Sequence, residues 1–136
     1  MRIFLDANIL FSAAKSDGAI RLLLRLLLKA GHHLCVDGYV TEEARRNLAA
    51  TAPAGVAALA TLLERMHRES FQHADAALEA ALPLPEKDRP VLAAAIRHGC
   101  AALVTGDRTH FGSLYGKTLH GVAIHSPRSL AEKLLK

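Results

Sequence analysis

RIFLDANIL, residues 2–10, decides how the rest of the chain is read. After Arg2 the run to Leu5 is wholly apolar, as in a strand buried on both faces. The run stops at Asp6, and Asn8 stands where it could cap a following helix. The handover recurs along the chain. HLCVDGYVTEEARRNL (33–48) joins a short apolar strand to a helix that carries Glu42 and Glu43, and AALVTGDRTHF (101–111) ends a third strand at Asp107. In PEKDRPVLAAAI (85–96), Asp88 precedes a helix that holds Pro90 in its first turn.

Asp6, Glu43, Asp88 and Asp107 therefore each fall where a strand passes into a helix, or in a helix's first turn. If the strands are parallel, their carboxyl ends share one sheet edge, which is where α/β proteins place their sites. Four carboxylates brought together there repel one another unless cations neutralise them, so a divalent-metal site is expected. Hard oxygen ligands of this kind suit Mg2+ or Mn2+, which bind phosphates as well. Each acid also has a structural explanation when taken singly. Asp6 serves as a turn residue, Glu43 and Asp88 as acids favoured by a helix dipole, and Asp107 as a cap on the turn at 108–111. The joint pattern favours the site. Asp88 lies three, four and seven positions before Val91, Leu92 and Ala95, on the stripe its helix buries.

The other elements follow from periodicity and caps. A helix or broken helix pair spans 9–30, split at Gly18, with 19–29 as a strongly apolar half that Gly31 closes. A strand is expected at 33–36, and a helix at 42–50 behind Thr41 as N-cap. An amphipathic helix runs from Pro53 or Gly55 to about Arg68, with Val56, Leu59, Leu63 and Met66 on one side. A short helical turn at 74–81, a helix to about His98 and a strand at 101–105 come next. A turn at 108–115, a strand at 122–125 and a last helix opened by Ser126 and Pro127 complete the chain. Strands alternating with helices predict a three-layer α/β/α fold around a central, mainly parallel sheet of four to five strands, as one domain over 1–136.

Composition narrows the class. Hydrophobic residues make up 51% of the 136, drawn mostly from Leu, Ala and Val, with no Trp. The richest apolar stretch, 20–28, is interrupted by Arg21 and Arg25 and is too short to cross a bilayer. Asp6 and Asn8 break the first apolar run, which lacks a signal-peptide layout, so a cytoplasmic protein is expected. Cys35 and Cys100 lie in apolar surroundings without CxxC spacing and read as free buried thiols. A net charge of +4 and a pI near 9.4 favour an anionic partner, nucleic acid first.

LDANIL, the TEE acid pair, EKDRPVLAAAI and LVTGD, in this order, resemble a PIN domain, the metal-dependent nuclease fold with three or four acidic residues. The resemblance spans nearly the whole chain. It extends to HFGSLYGKTLHGVAIHSPRSL, similar to the tails of stand-alone prokaryotic PIN proteins of the VapC-like toxin class. It implies that Asp6, Asp88 and Asp107 match the first, third and fourth family acids. The second falls in TEE, where Glu43 aligns better and Glu42 is the alternative. Asn8 matches the usual Asn that orients a carboxylate or bound water, and Thr105 could assist through its hydroxyl. Two departures stand out. Ala7 replaces the common Asp or Thr, and Arg108-Thr109-His110 stands where such toxins often carry a further acid, leaving one firm metal position and a second that could depend on substrate.

The implied activity is metal-assisted hydrolysis of RNA phosphodiester bonds, leaving 5′-phosphate and 3′-hydroxyl ends. Ser12 and Ser16 have no evident His–carboxylate partner, so serine chemistry is disfavoured. Lys15, Arg89, Arg108 and His110 are candidates for phosphate contact. Arg21, Arg25 and Lys29 form an i, i+4, i+8 row that reads as a solvent face. Surplus apolar surface on 19–29 and 56–68 would suit a homodimer or an antitoxin peptide, although purely internal packing also explains it. Two rivals stand beside the nuclease: a PIN-like module that binds RNA or protein without cutting, and a receiver-like phospho-acceptor. The receiver is disfavoured because the first strand lacks an acidic pair and the last ends in His125-Ser126.

Overall fold

The computed structural model describes residues 1–70 and 76–135. In chain order its elements are β1 (Arg2–Leu5), α1 (Ala7–Lys15), α2 (Ala19–Lys29), β2 (His33–Asp37), α3 (Gly38–Thr51), α4 (Gly55–Leu63) and β3 (His67–Glu69). Then follow α5 (Ala76–Ala81), a 3₁₀ turn at Glu86–Asp88, α6 (Arg89–Arg97), β4 (Ala102–Val104) and α7 (Arg108–Phe111). A second 3₁₀ turn at Gly112–Leu114 leads into β5 (Thr118–Leu119), β6 (Val122–His125) and α8 (Pro127–Leu134). The strands form one sheet in the order β3-β2-β1-β4-β6-β5. All pairings are parallel except β5 with β6. This is the α/β arrangement expected from the alternating pattern. No helix among the described residues is long and apolar enough to cross a membrane.

The apolar lead-ins are apolar because helices cover the sheet. Ile3, Phe4, Leu5, Leu34, Val36, Leu103 and Val104 are all fully buried. Cys35 and Cys100 are free and buried, as read from their surroundings. Ser126 caps α8 in a reciprocal capping box with Ser129, and Pro127 follows at the helix start. Gly18 separates α1 from α2, and Gly31, at φ 89°, follows the end of α2.

Several expectations are corrected. The sheet has six strands rather than four to five, because β3 and β5 are too short or too polar to show as strands. His67-Arg68-Glu69 contains no apolar residue and joins the sheet edge by backbone pairing, Cys35 opposite His67 and Asp37 opposite Glu69. That pairing ends the amphipathic helix at Leu63, short of Arg68. The helical turn expected at 74–81 is found as α5 from Ala76; positions 74 and 75 lie outside the described residues. Thr41 is not an N-cap. Helix α3 begins earlier, capped by Asp37, whose Oδ1 accepts from Val40 N–H at 3.1 Å, while Thr41 Oγ1 donates to the Asp37 carbonyl. Asp6 rather than Asn8 caps α1, accepting from Ala7 N–H at 2.7 Å.

Arg21 leaves the expected solvent row. Its Nε donates to the Ala13 carbonyl at 2.6 Å and its Nη2 to that of Ala14 at 3.2 Å, closing the C-terminal end of α1. Helix α1 is gripped there by α4 as well. A Cβ added at Gly55 would stand 2.7 Å from Leu48 Cδ2 and 3.2 Å from the Ala14 carbonyl oxygen. Gly55→Val should therefore cost about 1–3 kcal/mol through overpacking, read as a lower urea midpoint. An unchanged midpoint would show that α1, α3 and α4 are not in close contact at this point.

Candidate metal centre

Strand order reverses across β1 and β4: the chain moves from β1 to β2 on one side and reaches β4 on the other. The crevice above their carboxyl ends is the switch point where open α/β sheets bind ligands. Asp6 leaves β1 there, and Thr105 to Asp107 leave β4 beside it. Asp6 is 5% exposed and its carboxylate is fully engaged. Oδ1 accepts from Ala7 N–H, and Oδ2 accepts from Thr105 Oγ1 at 2.8 Å and Asn8 Nδ2 at 3.3 Å. Asn8 ties the two strand ends together, its Nδ2 also reaching Thr105 Oγ1 at 3.2 Å and its Oδ1 accepting from Gly106 N–H at 2.9 Å. Thr105 is fully buried, and its hydroxyl also accepts from Asp107 N–H. Burial pushes the Asp6 carboxyl up to about 6, against the lowering effect of the Thr105 and Ala7 hydrogen bonds; the charges of Glu43 and Asp88 raise it further.

The 3₁₀ turn before α6 brings Asp88 to the other side of the crevice, and α7 brings Asp107 and His110. Asp88 is nine-tenths buried, and burial raises its carboxyl above the ordinary range; His110 lowers it and Asp107 raises it. Nδ1 of His110 stands 2.9 Å from Asp88 Oδ2 and 2.9 Å from Asp107 Oδ2. Those distances suit ion pairs, yet neither His110 Nδ1 nor Asp88 Oδ2 has a hydrogen-bond partner, and both are shielded from solvent. Asp107 caps α7, its Oδ1 accepting from His110 N–H at 3.1 Å.

Glu43 occupies the second turn of α3. Because α3 starts at Gly38 and has no acid in its first turn, the dipole explanation for Glu43 falls away. The side chain lines a cleft of about 300 Å³ with Asn8, Phe11, Asn47, Ala50 and Thr51, and its charge is felt at Asp6. Glu42 is exposed and bonded to Arg45 on its own helix. Of the TEE pair, Glu43 is the one brought to the other acids.

Two tyrosines not singled out from the sequence complete the frame. Tyr39 Oη donates to the Lys87 carbonyl at 2.6 Å, tying α3 to the segment that bears Asp88. Burial raises its hydroxyl, and the charges of Glu43, Asp88 and Asp6 raise it further, so the ring stands beside three of the acids. Tyr115 Oη donates to the Thr105 carbonyl at 2.8 Å and holds the chain after α7 against the end of β4. Their one sequence signal is that they are the chain's only tyrosines, both half-buried. Asp37 was also passed over; it is buried at the same sheet edge as the cap of α3.

The basic candidates separate. Arg108 follows Asp107 and is exposed, and Lys15 is exposed at the end of α1 with its Nζ 5.6 Å from the Phe11 ring centre. Arg89 is drawn away: its Nε donates to the Leu84 carbonyl at 2.8 Å, and it lines a different cleft with Ala76, Glu79, Ala80 and Glu86. His110 stands among the acids.

The residues present fit a divalent cation. Asp88, Asp107 and His110 each offer a ligand atom within 4.8 Å of the others. Two carboxylates that close repel by a few kcal/mol even at an effective dielectric near 20, a cost a cation removes. The orphaned Asp88 Oδ2 and His110 Nδ1 are the kind of buried atoms that an ion satisfies.

Fold and crevice together define the class: an α/β/α protein with a carboxylate site over the switch point of a parallel sheet. Comparison with known proteins is more specific. The sequence model of the PIN domain matches residues 2–109, and the chain belongs to the PIN-domain family. Among solved structures it resembles VapBC2 from Rickettsia felis bound to a promoter DNA fragment, with TM-score 0.70 and 17% identity over 93% of this chain and 98% of that one. It also resembles VapBC-1 from nontypeable Haemophilus influenzae, with TM-score 0.65 and 13% identity over 94% and 99%. A third relative is VapC20 of Mycobacterium tuberculosis, described as a Sarcin-Ricin loop cleaving toxin, with TM-score 0.56 and 17% identity over 82% and 93%. A search of curated proteins finds no match.

Proposed function

We propose that this chain is a Mg2+- or Mn2+-dependent endoribonuclease acting as the toxin of a type II toxin–antitoxin pair. The observation that carries the reading is that Asp6, Glu43, Asp88 and Asp107, from four separate segments, lie near enough to feel one another's charge, with Asp88 and Asp107 at ligand distance. Asp6, Asp88 and Asp107 would hold the ion, with Glu43 across the crevice. When bound, the ion supplies the acidity that activates water and the positive charge that steadies a cleaved phosphodiester. Asn8 and Thr105 fix the Asp6 carboxylate, so little reorganisation is needed when ligands arrive. Arg108, next to Asp107, and Lys15, beside Phe11 of the Glu43 cleft, would neutralise backbone phosphates, which makes binding salt-sensitive. RNA as substrate is supported by the fold shared with a toxin described as Sarcin-Ricin loop cleaving and by the basic balance of the chain.

A protein partner is supported by the VapBC complexes among the structural relatives. A cleft of about 310 Å³ lies between α2 and α4 and is lined by none of the four acids. Arg21, Arg25 and Arg65 surround an apolar floor of Leu24, Leu28, Leu62 and Met66. That composition suits an acidic amphipathic segment such as an antitoxin tail. Leu22 and Leu26, 50% and 40% exposed, offer apolar surface on α2 for a homodimer.

Cleavage of a structured RNA panel in Mg2+ or Mn2+ tests the activity, and the paired glutamates test the site. Glu43→Gln should lower the cleavage rate by about 10–100-fold. Glu42→Gln should stay within about twofold of wild type, because the side chain it changes is exposed. The reverse ranking would move the second acid to Glu42. Metal binding with no cleavage of any RNA would make the chain a binding module.

A further inference from the structure

We infer that His110 is itself a ligand of the metal ion, through Nδ1, and that it tilts the site toward Mn2+ over Mg2+. This rests on the metal-dependent reading above and concerns which atoms hold the ion. The spacing is the first observation. His110 Nδ1 is 2.9 Å from Asp88 Oδ2 and 2.9 Å from Asp107 Oδ2. An octahedral ion with bonds of about 2.0–2.1 Å sets neighbouring ligand atoms about 2.9 Å apart, the edge of the octahedron. His110 Nδ1 thus stands at ligand-to-ligand spacing from each carboxylate, and all three residues offer ligand atoms within 4.8 Å of one another.

The contacts are close enough for His110 to lower the Asp88 carboxyl, but they do not have the geometry of hydrogen bonds. An imidazolium holding two carboxylates would aim its N–H at one of them, yet His110 Nδ1 and Asp88 Oδ2 are both without a hydrogen-bond partner and both hidden from solvent. Such atoms, nearly touching and unpaired, are costly to bury unless something between them accepts their lone pairs. The local backbone supports the arrangement. The main-chain N–H of His110 takes Asp107 Oδ1 at 3.1 Å, which leaves Oδ2 to face the ring. A role for Nδ1 in contacting phosphate would require solvent access that the atom lacks.

The ligand set then bears on metal choice. Mg2+ demands oxygen donors and binds imidazole poorly, whereas Mn2+ and later first-row ions accept a nitrogen beside carboxylates. His110 stands three residues after Asp107 in the stretch where the sequence lacks a further acid. A nitrogen ligand here would alter the metal preferred by the two carboxylates beside it.

The test uses the full chain, stripped with chelator and titrated with Mn2+ alone, followed by calorimetry and pulsed electron paramagnetic resonance. Wild type should show modulation from a directly bound ¹⁴N, and His110→Ala should lose it. Mn2+ affinity in His110→Ala should fall about tenfold or more, with a smaller fall for Mg2+. His110→Asp should move the Mn2+/Mg2+ preference back toward Mg2+. The wild-type resonance signal decides the point even if the variants fold poorly, which circular dichroism would reveal. Mn2+ binding without ¹⁴N coupling, and undiminished in His110→Ala, would overturn the role of His110 and leave the metal centre standing. No Mn2+ binding by wild type at millimolar metal would overturn both.

Discussion

Asp6→Asn should abolish RNA cleavage and, in the absence of metal, should make the protein more stable at neutral pH. The loss of activity follows from removing a charged ligand that Thr105, Asn8 and Ala7 hold in place; a fall of more than about 100-fold is expected. The gain in stability follows from linkage. Burial pushes the folded Asp6 carboxyl up to about 6 from an ordinary 3.8, so the native state holds the extra proton between those values. Stability contributed by this group is then lost as pH rises from about 4 to about 6, and the full cost persists above that. Two pKa units correspond to about 3 kcal/mol at most. Asn removes the charge and caps a helix as well as Asp, but its amide nitrogen cannot accept the bonds that Oδ2 takes from Thr105 and Asn8, so a net gain of only about 1 kcal/mol is expected from urea unfolding at pH 7 in chelator. At pH 4 the difference should vanish. An acid present only to cap α1 would leave activity nearly unchanged on the same substitution.

Phe4→Ala should be the most damaging single change to the fold. Phe4 is fully buried and among the largest such side chains, and its strand lies between β2 and β4 at the middle of the sheet. Truncation removes its transfer free energy and leaves a cavity that flanking strands cannot collapse, a cost of about 3–5 kcal/mol. A domain of this size has about 5–15 kcal/mol in total, so the variant should unfold at a much lower urea concentration with a similar slope. A cost under about 1 kcal/mol would mean that β1 is not the core of the sheet. Because β1 carries Asp6 at its end, the same variant should also lose metal affinity in proportion to the population unfolded.

The parallel sheet was legible because the lead-ins to Asp6, Asp37 and Asp107 are apolar on both faces, a pattern that few other structures require. Asp6 and Asp107 were legible because each follows such a run, Asp88 because it shares the buried stripe of its helix, and Glu43 because it belongs to an acid pair near a helix start. Strand β3 was hidden. His67-Arg68-Glu69 has no side-chain signal, and its place in the sheet depends on backbone bonds that any residues can make. The start of α3 was misplaced for a related reason: Thr41 followed by two glutamates imitates an N-terminus, while Asp37 already caps the helix four residues earlier. Arg21 reads as surface from its spacing, and only the bend between α1 and α2 turns it back onto the Ala13 and Ala14 carbonyls. His110 reads as one more cation beside Arg108. Its position between Asp88 and Asp107 depends on the close approach of α7 to the turn before α6, which no local pattern encodes.

The central claim is that the carboxylate crevice works through a bound divalent ion. The most direct measurement is RNA cleavage by chelator-stripped protein before and after Mn2+ is added back. We expect no cleavage in chelator, recovery with a dependence on Mn2+ that matches its binding curve, and no recovery in Asp6→Asn. Cleavage that persists undiminished in the stripped protein, or recovery in Asp6→Asn equal to wild type, would contradict it.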